Sequence, residues 1–448
     1  TQSRSSAASD VYKRQGLDIP EIDTVLMLRP TQSATIFLQQ LGRGLRRAPG
    51  KSVLTVLDFV GHQSAQFRFD LKLRALTGLS RSRLVAGIEQ GFPFLPSGSQ
   101  IILDRVAQQE VLANVRSQLS LSTRELVADI RQHADQTGAE SSLRAYLEGS
   151  GRTLADIYDA SSRSMRGEQR PACWSALEVW ARPDDALPPL SAEYDLLRRI
   201  RGLTHVDDPE RIRAYRRLLD PALDPRVRAE DPFAPMLYFS FWPQGAPEGM
   251  TEALQRLARS VHVRRELLQL LDVCETETRA LPERLNGPLE SSPLRSHARY
   301  SRDELAAALG LGTRTKGTPG SLVSGVRWFP EAQVDLLLVT LRKSEAQFSP
   351  STLYRDYAVD ESLFHWESQS STAAGSPTGL RYRTHEQRGS QVLLCVREAT
   401  AGDIGTEPFT CLGTVRYREH QGEKPMRILW ELDRPMPPEL LVHARAVA

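Results

Sequence analysis

The stretch that decides the fold at the start of the chain runs from residue 24 to residue 59 and reads TVLMLRPTQSATIFLQQLGRGLRRAPGKSVLTVLDF. A mostly apolar run from Thr24 to Leu28 has the length of a buried strand. Helical spacing then extends from Ala34 to Leu45, and Ala48-Pro49-Gly50 ends it. A second apolar run, Val53 to Phe59, follows. A strand, a helix and a strand with short connections form a βαβ unit, which predicts a parallel sheet.

Composition changes along the rest of the chain predict a multidomain α/β, α and β protein. Residues 1–15, which include SRSSAASDVYKRQ, resemble a translated sequencing-adapter artefact, and we treat them as a non-native leader. Residues 16–80 form the α/β region. Residues 81–290 are rich in Arg, Leu, Ala and Glu at helical spacing and predict a helical bundle region. Its clearest helices are 102–119, 123–133, 192–200, 209–219 and 252–271.

Residues 295–448 predict a compact, mostly antiparallel β domain, either a barrel or a sandwich. Ser301 and Glu304 form a capping box for a short helix through Leu309. Strand-like runs follow at 334–341, 391–397, 409–416 and 426–432, and turn signals such as Gly379 and Gly389 separate them.

Bulk properties exclude several classes of protein. The chain has 448 residues, a net charge of +2 and a pI near 8.3, which neither demands nor excludes nucleic acid. Its four cysteines lack zinc-site spacing, so we expect no metal site. No apolar run has the length of a membrane span and no signal peptide is visible, so we expect a cytoplasmic protein without a membrane partner.

Two motifs in the α/β region carry chemistry. Gly16-Leu17-Asp18-Ile19-Pro20 fits G-x-D-x-P, and Gln39 to Arg46 fits Q-x-x-G-R-x-x-R. These motifs resemble motifs V and VI of superfamily 2 (DEAD/DEAH-type) helicases. The resemblance implies that residues 16–80 are the C-terminal part of the second RecA-like domain of an ATP-dependent helicase.

The resemblance implies a role for each motif residue. Arg46 is the expected arginine finger, Arg43 is its partner, and Gln39 contacts the γ-phosphate or water. Asp18 is expected at the nucleotide ribose or between the ATP and nucleic-acid sites, and Gly16 and Gly42 belong to the same nucleotide-binding surface. Negative charge is distributed over the oxygens of the phosphoryl group during its transfer, and planar guanidinium groups can stabilise that charge. The alternative is a basic helix end that faces solvent.

The chain contains neither G-x-x-x-x-G-K-[ST] nor an Asp-Glu run of the magnesium-binding type. We therefore expect ATP and Mg²⁺ to be cofactors of a longer parent protein. That parent would supply the missing first RecA-like domain in cis, and the fragment alone would bind neither cofactor and hydrolyse no ATP.

The resemblance extends to a bacterial helicase subfamily with an N-terminal phospholipase-D-like nuclease domain and a C-terminal domain of unknown function. Matching runs lie at 25–62, 92–105, 335–349, 354–371 and 376–382. This resemblance implies an ATP-driven DNA helicase or translocase that acts in DNA restriction, repair or phage defence.

Aromatic and basic residues in the β domain suggest contact with DNA. Trp366, Tyr357 and Tyr382 could stack on bases beside Arg381 and Lys343, which fits a reader of single strands or modified bases. The alternative is that these rings are core aromatics. A nuclease built on His365, Glu367, His385 and Glu386 is a weaker alternative, because no metal-site spacing is present.

Three basic clusters in the helical region have two interpretations. They are Arg198-Arg199-Ile200-Arg201, Arg211 to Arg217, and Arg264-Arg265. Each is either a solvated helix face or part of a phosphate track. The second hypothesis for the chain follows from the track: a non-catalytic module that binds DNA, with RNA not excluded.

Overall fold

Two compact units make up the chain in the computed structural model, which describes residues 21–28, 34–45, 48–58, 68–77, 79, 81–92, 100–119, 122–137, 142–183, 187–278, 281–312, 317–322, 324–342 and 356–445. The described residues up to Leu119 belong to the first unit, and those from Ser122 onward belong to the second. The protein is a mixed α/β chain with many helices and a large mixed sheet.

The first unit begins with the predicted βαβ order. The strands β1 (Thr24–Met27) and β2 (Thr55–Asp58) pair in parallel, with Leu26 opposite Leu57, and α1 (Ala34–Gly44) lies between them in the chain. The predicted parallel pairing is therefore confirmed. Three more helices follow: α2 (Phe69–Thr77), α3 (Arg81–Glu89) and α4 (Arg105–Leu119).

The sequence predicts both strands to be buried, and this is wrong for most of their side chains. Met27 is buried against Phe37 and Leu41 of α1. Leu26 and Leu57, which alternate to the other face, are 54% and 48% exposed. Among the described residues, α1 and Leu76 of α2 pack in the cluster on one face of the pair, whereas parallel sheets normally carry helices on both faces.

The second unit opens with a helical part that also holds one small hairpin. Its helices are α5 (Thr123–Thr137), α6 (Leu143–Ser150), α7 (Leu154–Tyr158), α8 (Trp174–Ala181), α9 (Tyr194–Ile200), α10 (Pro209–Leu218), α11 (Pro225–Glu230), α12 (Ala234–Phe241), α13 (Met250–Arg259) and α14 (Val261–Glu277). The hairpin is β3 (Ser162–Met165) with β4 (Glu168–Pro171).

The helix predicted from residue 252 to residue 271 is two helices, α13 and α14. The chain leaves helical geometry at Ser260, where ψ is 121°. The first backbone N–H groups of α14 find their acceptor in a residue far away in the sequence. The Glu193 carboxylate accepts hydrogen bonds from the N–H groups of Val261 and Val263, both at 2.9 Å. Apolar spacing continues through the break, so periodicity alone does not reveal it.

The C-terminal part of the second unit contains most of the strands. Its elements are β5 (Glu283–Arg284), β6 (Arg295–Ser296), β7 (Arg299–Tyr300), α15 (Arg302–Ala308), β8 (Val326–Phe329), β9 (Val334–Thr340), β10 (Tyr357–Ala358), β11 (Leu363–Glu367), α16 (Pro377–Thr384), β12 (Gln391–Arg397), β13 (Ala401–Gly402), β14 (Gly405–Thr406), β15 (Phe409–Gln421), β16 (Arg427–Leu432) and α17 (Pro438–Arg445). The predicted capping box of Ser301 and Glu304 at α15 is confirmed.

The large sheet is open, so the predicted barrel or sandwich is wrong for the described residues. The strand order is β10-β11-β16-β15-β12-β9-β8, and β7 pairs with β15. Most neighbours are antiparallel, but β12 and β9 run parallel. Both faces of the central strands are apolar: Leu393 faces one core, and Val392 and Leu394 face another. Such a sheet is covered by packing other elements on it and does not need to close.

One of these two cores joins the helical part to the sheet. It contains Leu197 of α9 and Leu267 of α14 together with Leu336 of β9 and Phe409 of β15. The composition change near residue 290 therefore does not separate two cores in the described structure. The second core lies on the other face of the sheet, around Trp366, Tyr382 and Trp430.

Candidate nucleotide and nucleic-acid interfaces

The helix α1 carries the described part of the Q-x-x-G-R-x-x-R motif. Phe37 and Leu41, four residues apart, are buried and attach the helix to β1. Gln39 is exposed, and an added Cβ at Gly42 would meet nothing within 4 Å. Arg43 occupies the next position of the helix. The described part of the motif thus lies on a helix whose apolar stripe packs against β1, with Gln39 exposed.

Several predicted positions lie outside the described residues. They are the leader 1–15, Gly16 and Asp18 of the G-x-D-x-P motif, the expected finger Arg46, and Lys343 of the β domain.

Trp366 and Tyr382 lie in the core beneath the large sheet and do not form a surface for stacking bases. Trp366 is 4% exposed and Tyr382 is fully buried. Their rings pack edge to face at 5.6 Å, and both lie 6.3 Å from the Trp430 ring. Aromatic side chains contribute most by burying their large apolar area, and these two do so. The structure thus supports the core interpretation for these two rings.

Tyr357 remains at the surface. It is half-buried on β10 and stacks on His365 of β11, with ring centroids 4.6 Å apart and planes tilted by 16°. Cross-strand pairing of the two residues sets this arrangement. Tyr357 is thus the predicted aromatic residue that keeps a face near solvent.

Arg381 is committed to a structural ion pair. Its Nε and Nη2 donate to the two oxygens of Asp335 at 2.6 and 2.8 Å, and its guanidinium lies 4.5 Å from the Trp328 ring centre. Burial raises the pKa of Asp335, while Arg381 opposes this change. A bidentate pair of this kind leaves Arg381 little capacity to bind a phosphate.

The residues imagined for a nuclease do not assemble into a metal site. Among the described residues, no group of three or more His, Cys, Asp or Glu side chains could hold a metal ion. His385 is buried, and its Nδ1 lies 2.9 Å from the carbonyl oxygen of Tyr382.

Two of the three basic clusters are largely neutralised by carboxylates. Arg216 reaches Asp272 at 2.5 Å and Glu275 at 2.7 Å, and Arg265 reaches Glu178 at 2.9 Å. These pairs join α10 to α14 and α14 to α8. The arginines therefore act as structural ties between helices.

Arg211 belongs to a fully buried ionic cluster around Glu304. Arg211 Nη1 lies 2.9 Å and the Tyr215 hydroxyl 3.0 Å from Glu304 Oε1, and His205 Nε2 lies 2.7 Å from Oε2. Burial disfavours the carboxylate, but Arg211 and His205 outweigh this effect and lower the pKa of Glu304 to about 2. The cluster ties α10 to α15 across the boundary between the helical and sheet regions.

The remaining basic cluster, Arg198 to Arg201, lines a cleft of about 680 Å³. The cleft lies between the end of α9, the start of α15, and the segment around the β13–β14 hairpin. We call it the arginine cleft. Its lining includes the five arginines Arg198, Arg199, Arg201, Arg302 and Arg397, against the two carboxylates Asp303 and Glu407.

Arg397, at the end of β12, is the deepest of the five arginines. It is 7% exposed, donates from Nε to Thr340 Oγ1 at 2.9 Å, and lies 4.4 Å from the Phe409 ring centre. Burial lowers the pKa of Arg397 to about 10, and the nearby charge of Arg302 adds to this effect. Sequence reasoning took Arg397 only as the last residue of a strand, because nothing local reveals its neighbours.

Two comparisons with known proteins each match a part of the chain. Residues 294–444 match the family model described as a domain of unknown function, DUF3427. A stretch of 50 residues is 42% identical to the Saccharomyces cerevisiae protein named "Putative ATP-dependent helicase IRC3". That match covers 11% of this chain and 7% of the length of the yeast protein.

The family match includes Arg302 and Arg397, whereas Arg198 to Arg201 precede it. The arginine cleft is therefore shared between the matched domain and the helical part in front of it. The described helices include none that is long and apolar enough to cross a membrane.

Proposed function

We propose that this chain is the C-terminal part of an ATP-dependent DNA helicase or translocase. The observation that carries the proposal is that α1, which lies between two parallel strands in the chain, includes the first part of the Q-x-x-G-R-x-x-R segment, Gln39 to Gly44, with Gln39 exposed. The similarity of 50 residues to a protein named as a helicase supports it.

In this proposal α1 presents its polar residues to a nucleotide held by another domain. Arg46 is the arginine finger, Arg43 assists it, and Gln39 contacts the γ-phosphate or the attacking water. Asp18 and Gly16 approach the nucleotide from the preceding turn, and Gly42 allows close approach because it has no side chain. ATP and Mg²⁺ are bound by the first RecA-like domain of the longer protein, which supplies the phosphate-binding groups.

The exposed face of the two-stranded sheet is consistent with a larger domain. Leu26 and Leu57 lie side by side and about half exposed on adjacent parallel strands. Strands of this kind are buried on both faces in complete α/β domains. In the longer protein, further elements of the RecA-like domain would cover this face.

The test compares DNA-stimulated ATP hydrolysis by the longer protein and its Arg46→Ala variant. An arginine finger contributes about 10³–10⁵ in rate, so we expect a loss of at least about 10³-fold in kcat with little change in KM. Arg47→Ala is the matched control, since it removes an adjacent arginine that the motif does not use. Equal and small losses in both variants would contradict the proposal.

A second function, non-catalytic DNA binding by the second unit, is favoured by the arginine cleft. It is compatible with the motor, because a translocating enzyme needs contacts with its track. RNA is an alternative ligand that the same basic residues would accept.

A further inference from the structure

We infer that the arginine cleft binds the phosphate groups of a nucleic-acid strand. That the ligand is a strand and not a small anion rests on the proposed DNA-binding role. That the cleft binds phosphate oxygens rests on the cleft alone.

The first argument is the imbalance of charge in the cleft. Five arginines face two carboxylates there, whereas the whole chain carries a net charge of only +2. Burial raises the pKa of Asp303, which weakens one of the two negative groups. The cleft thus concentrates positive charge on one face of a chain that is nearly neutral elsewhere.

The second argument is that these arginines have few carboxylate partners, although Arg302 donates a hydrogen bond to the Leu322 carbonyl oxygen and Arg397 donates to Thr340 Oγ1 and the Glu407 carbonyl oxygen. Among the described residues, Arg199, Arg201, Arg302 and Arg397 have no carboxylate oxygen within 4.0 Å, and Arg198 has one exposed contact, to Asp195 at 3.4 Å. Arginines elsewhere in the unit, such as Arg216, Arg265 and Arg381, are paired. The cleft therefore holds four guanidinium groups that no described carboxylate pairs.

The third argument is the buried guanidinium of Arg397. A charged group held in the interior next to another cation, Arg302, loses stability unless an anion compensates for it. A phosphate oxygen in the cleft would supply that anion and could accept two parallel hydrogen bonds from a guanidinium.

The shape of the cleft favours phosphates of a strand over a small ligand or a base. Arg198, Arg199 and Gly202 are exposed on its rim, so a chain could pass along it. Its aromatic lining residue, Phe409, is 2% exposed and offers no face for base stacking. Contacts would therefore go to the backbone and be independent of base sequence.

Arg201 lies against the tip of the β13–β14 hairpin, which helps to fix the wall of the cleft. A Cβ built on Gly405 would lie 3.1 Å from Arg201 Nη2, and Gly405 has a φ of +76° that favours glycine. The hairpin can approach this guanidinium closely because residue 405 has no side chain.

The experiment measures the affinity of the full chain, residues 1–448, for a fluorescently labelled 20-nucleotide single strand by anisotropy, over a series of salt concentrations. The test variant is Arg199→Glu with Arg201→Glu, which reverses two cleft charges that are not fully buried. The control is Arg213→Glu with Arg226→Glu, which makes the same change of charge at exposed sites outside the cleft. Thermal melting checks that both variants remain folded.

We expect the cleft variant to bind the strand about tenfold more weakly, or weaker still. The slope of the logarithm of its association constant against the logarithm of the salt concentration should be smaller in magnitude by about 1 to 2. The control should lose about twofold. Equal losses in the two variants would overturn the cleft as the site while leaving DNA binding intact. A wild-type chain that binds no strand at low salt would overturn both the inference and the DNA-binding proposal, without bearing on ATP hydrolysis.

Two further arms identify the source of the phosphate. Strands with a 5′-phosphate and a 5′-hydroxyl should bind equally if internal phosphodiesters are the ligand. The second arm adds inorganic phosphate as a competitor. Several contacts along a track should hold a polymer more tightly than a single ion. Displacement of the strand by inorganic phosphate at the same total phosphate concentration would therefore overturn the assignment to a strand.

Discussion

Replacing Glu304 by Gln should destabilise the second unit strongly, although the change alters only one atom. Glutamine keeps the shape and can still complete the capping box with Ser301. It removes the negative charge from a site where Arg211 Nη1 lies 2.9 Å and His205 Nε2 lies 2.7 Å from the carboxylate. Arg211 is fully buried, so it would lose its nearest carboxylate and keep only the longer contact with Asp207, at 3.5 Å.

The expected size of the effect follows from two independent routes. Breaking a buried ion pair by removing one partner costs about 3–5 kcal/mol. A pKa of Glu304 that is lowered from 4.5 to about 2 corresponds to about 3 kcal/mol, at about 1.36 kcal/mol per unit. We therefore expect the free energy of unfolding to fall by about 3–5 kcal/mol at pH 7.

The assay is urea denaturation followed by tryptophan fluorescence, which reports on the second unit because all six tryptophans lie after residue 121. Glu230→Gln is the matched control at an exposed position and should change stability by less than about 0.5 kcal/mol. The carboxylate with a lowered pKa stabilises the fold above pH 4.5 and loses this effect as the pH falls towards 2. A loss below about 1 kcal/mol, with an unchanged acid profile, would refute the role assigned to the cluster.

Two further substitutions test other parts of the second unit. Burial and the nearby charge of Arg434 lower the pKa of His297 from 6.5 to about 4, so its contribution is present above pH 6.5 and is lost as the pH falls towards 4. Asparagine tolerates the φ of +66° at this position, so His297→Asn is the substitution to test. It should reduce the difference in the free energy of unfolding between pH 7 and pH 5 by about 1–2 kcal/mol, after allowance for partial exposure, as measured by urea denaturation. If that difference is the same in the variant and the wild type, the role assigned to His297 is wrong. Gly312→Ala should lower the free energy of unfolding by at least about 1 kcal/mol more than Gly389→Ala does. Both glycines have positive φ, but a Cβ at residue 312 would lie 2.4 Å from the Phe239 ring, whereas a Cβ at residue 389 would meet nothing within 4 Å. Equal melting temperatures for the two alanine variants would contradict this reasoning.

Local periodicity was enough to predict much of the secondary structure. The parallel β1–β2 pair, α10, β12 and the capping box at α15 all follow from apolar spacing and end signals within a few residues. Gly379 shows the limit of such signals. The sequence predicts a turn at this residue, but Gly379 lies in α16. A Cβ there would lie 2.1 Å from the carbonyl oxygen of Ala373, so close approach of the backbone explains the glycine.

The open form of the large sheet was not predictable because it depends on which elements cover its faces. Alternating apolar residues on β12 indicate a strand with two buried faces, but not whether a second sheet or helices cover them. The break at Ser260 depends on Glu193, which is distant in sequence. Such contacts are invisible in a local pattern.

The basic clusters show the same limit for function. Arg211 and Arg199 look alike in the sequence, yet the partner of Arg211 is Glu304, which is 93 residues away. The long-range pairing decides which arginines are structural and which remain for a ligand. Arg397 completes the cleft from the end of a strand and has no signal in its neighbourhood.

We propose above all that the segment from Gln39 to Arg46 supplies an arginine finger to a nucleotide site whose phosphate-binding groups belong to another domain. The most direct test measures DNA-stimulated ATP hydrolysis by residues 1–448 alone and by the longer protein that includes a first RecA-like domain. We expect no hydrolysis above background from residues 1–448 at any DNA concentration, and turnover by the longer protein. Hydrolysis by residues 1–448 alone, or no hydrolysis by the longer protein, would contradict the claim.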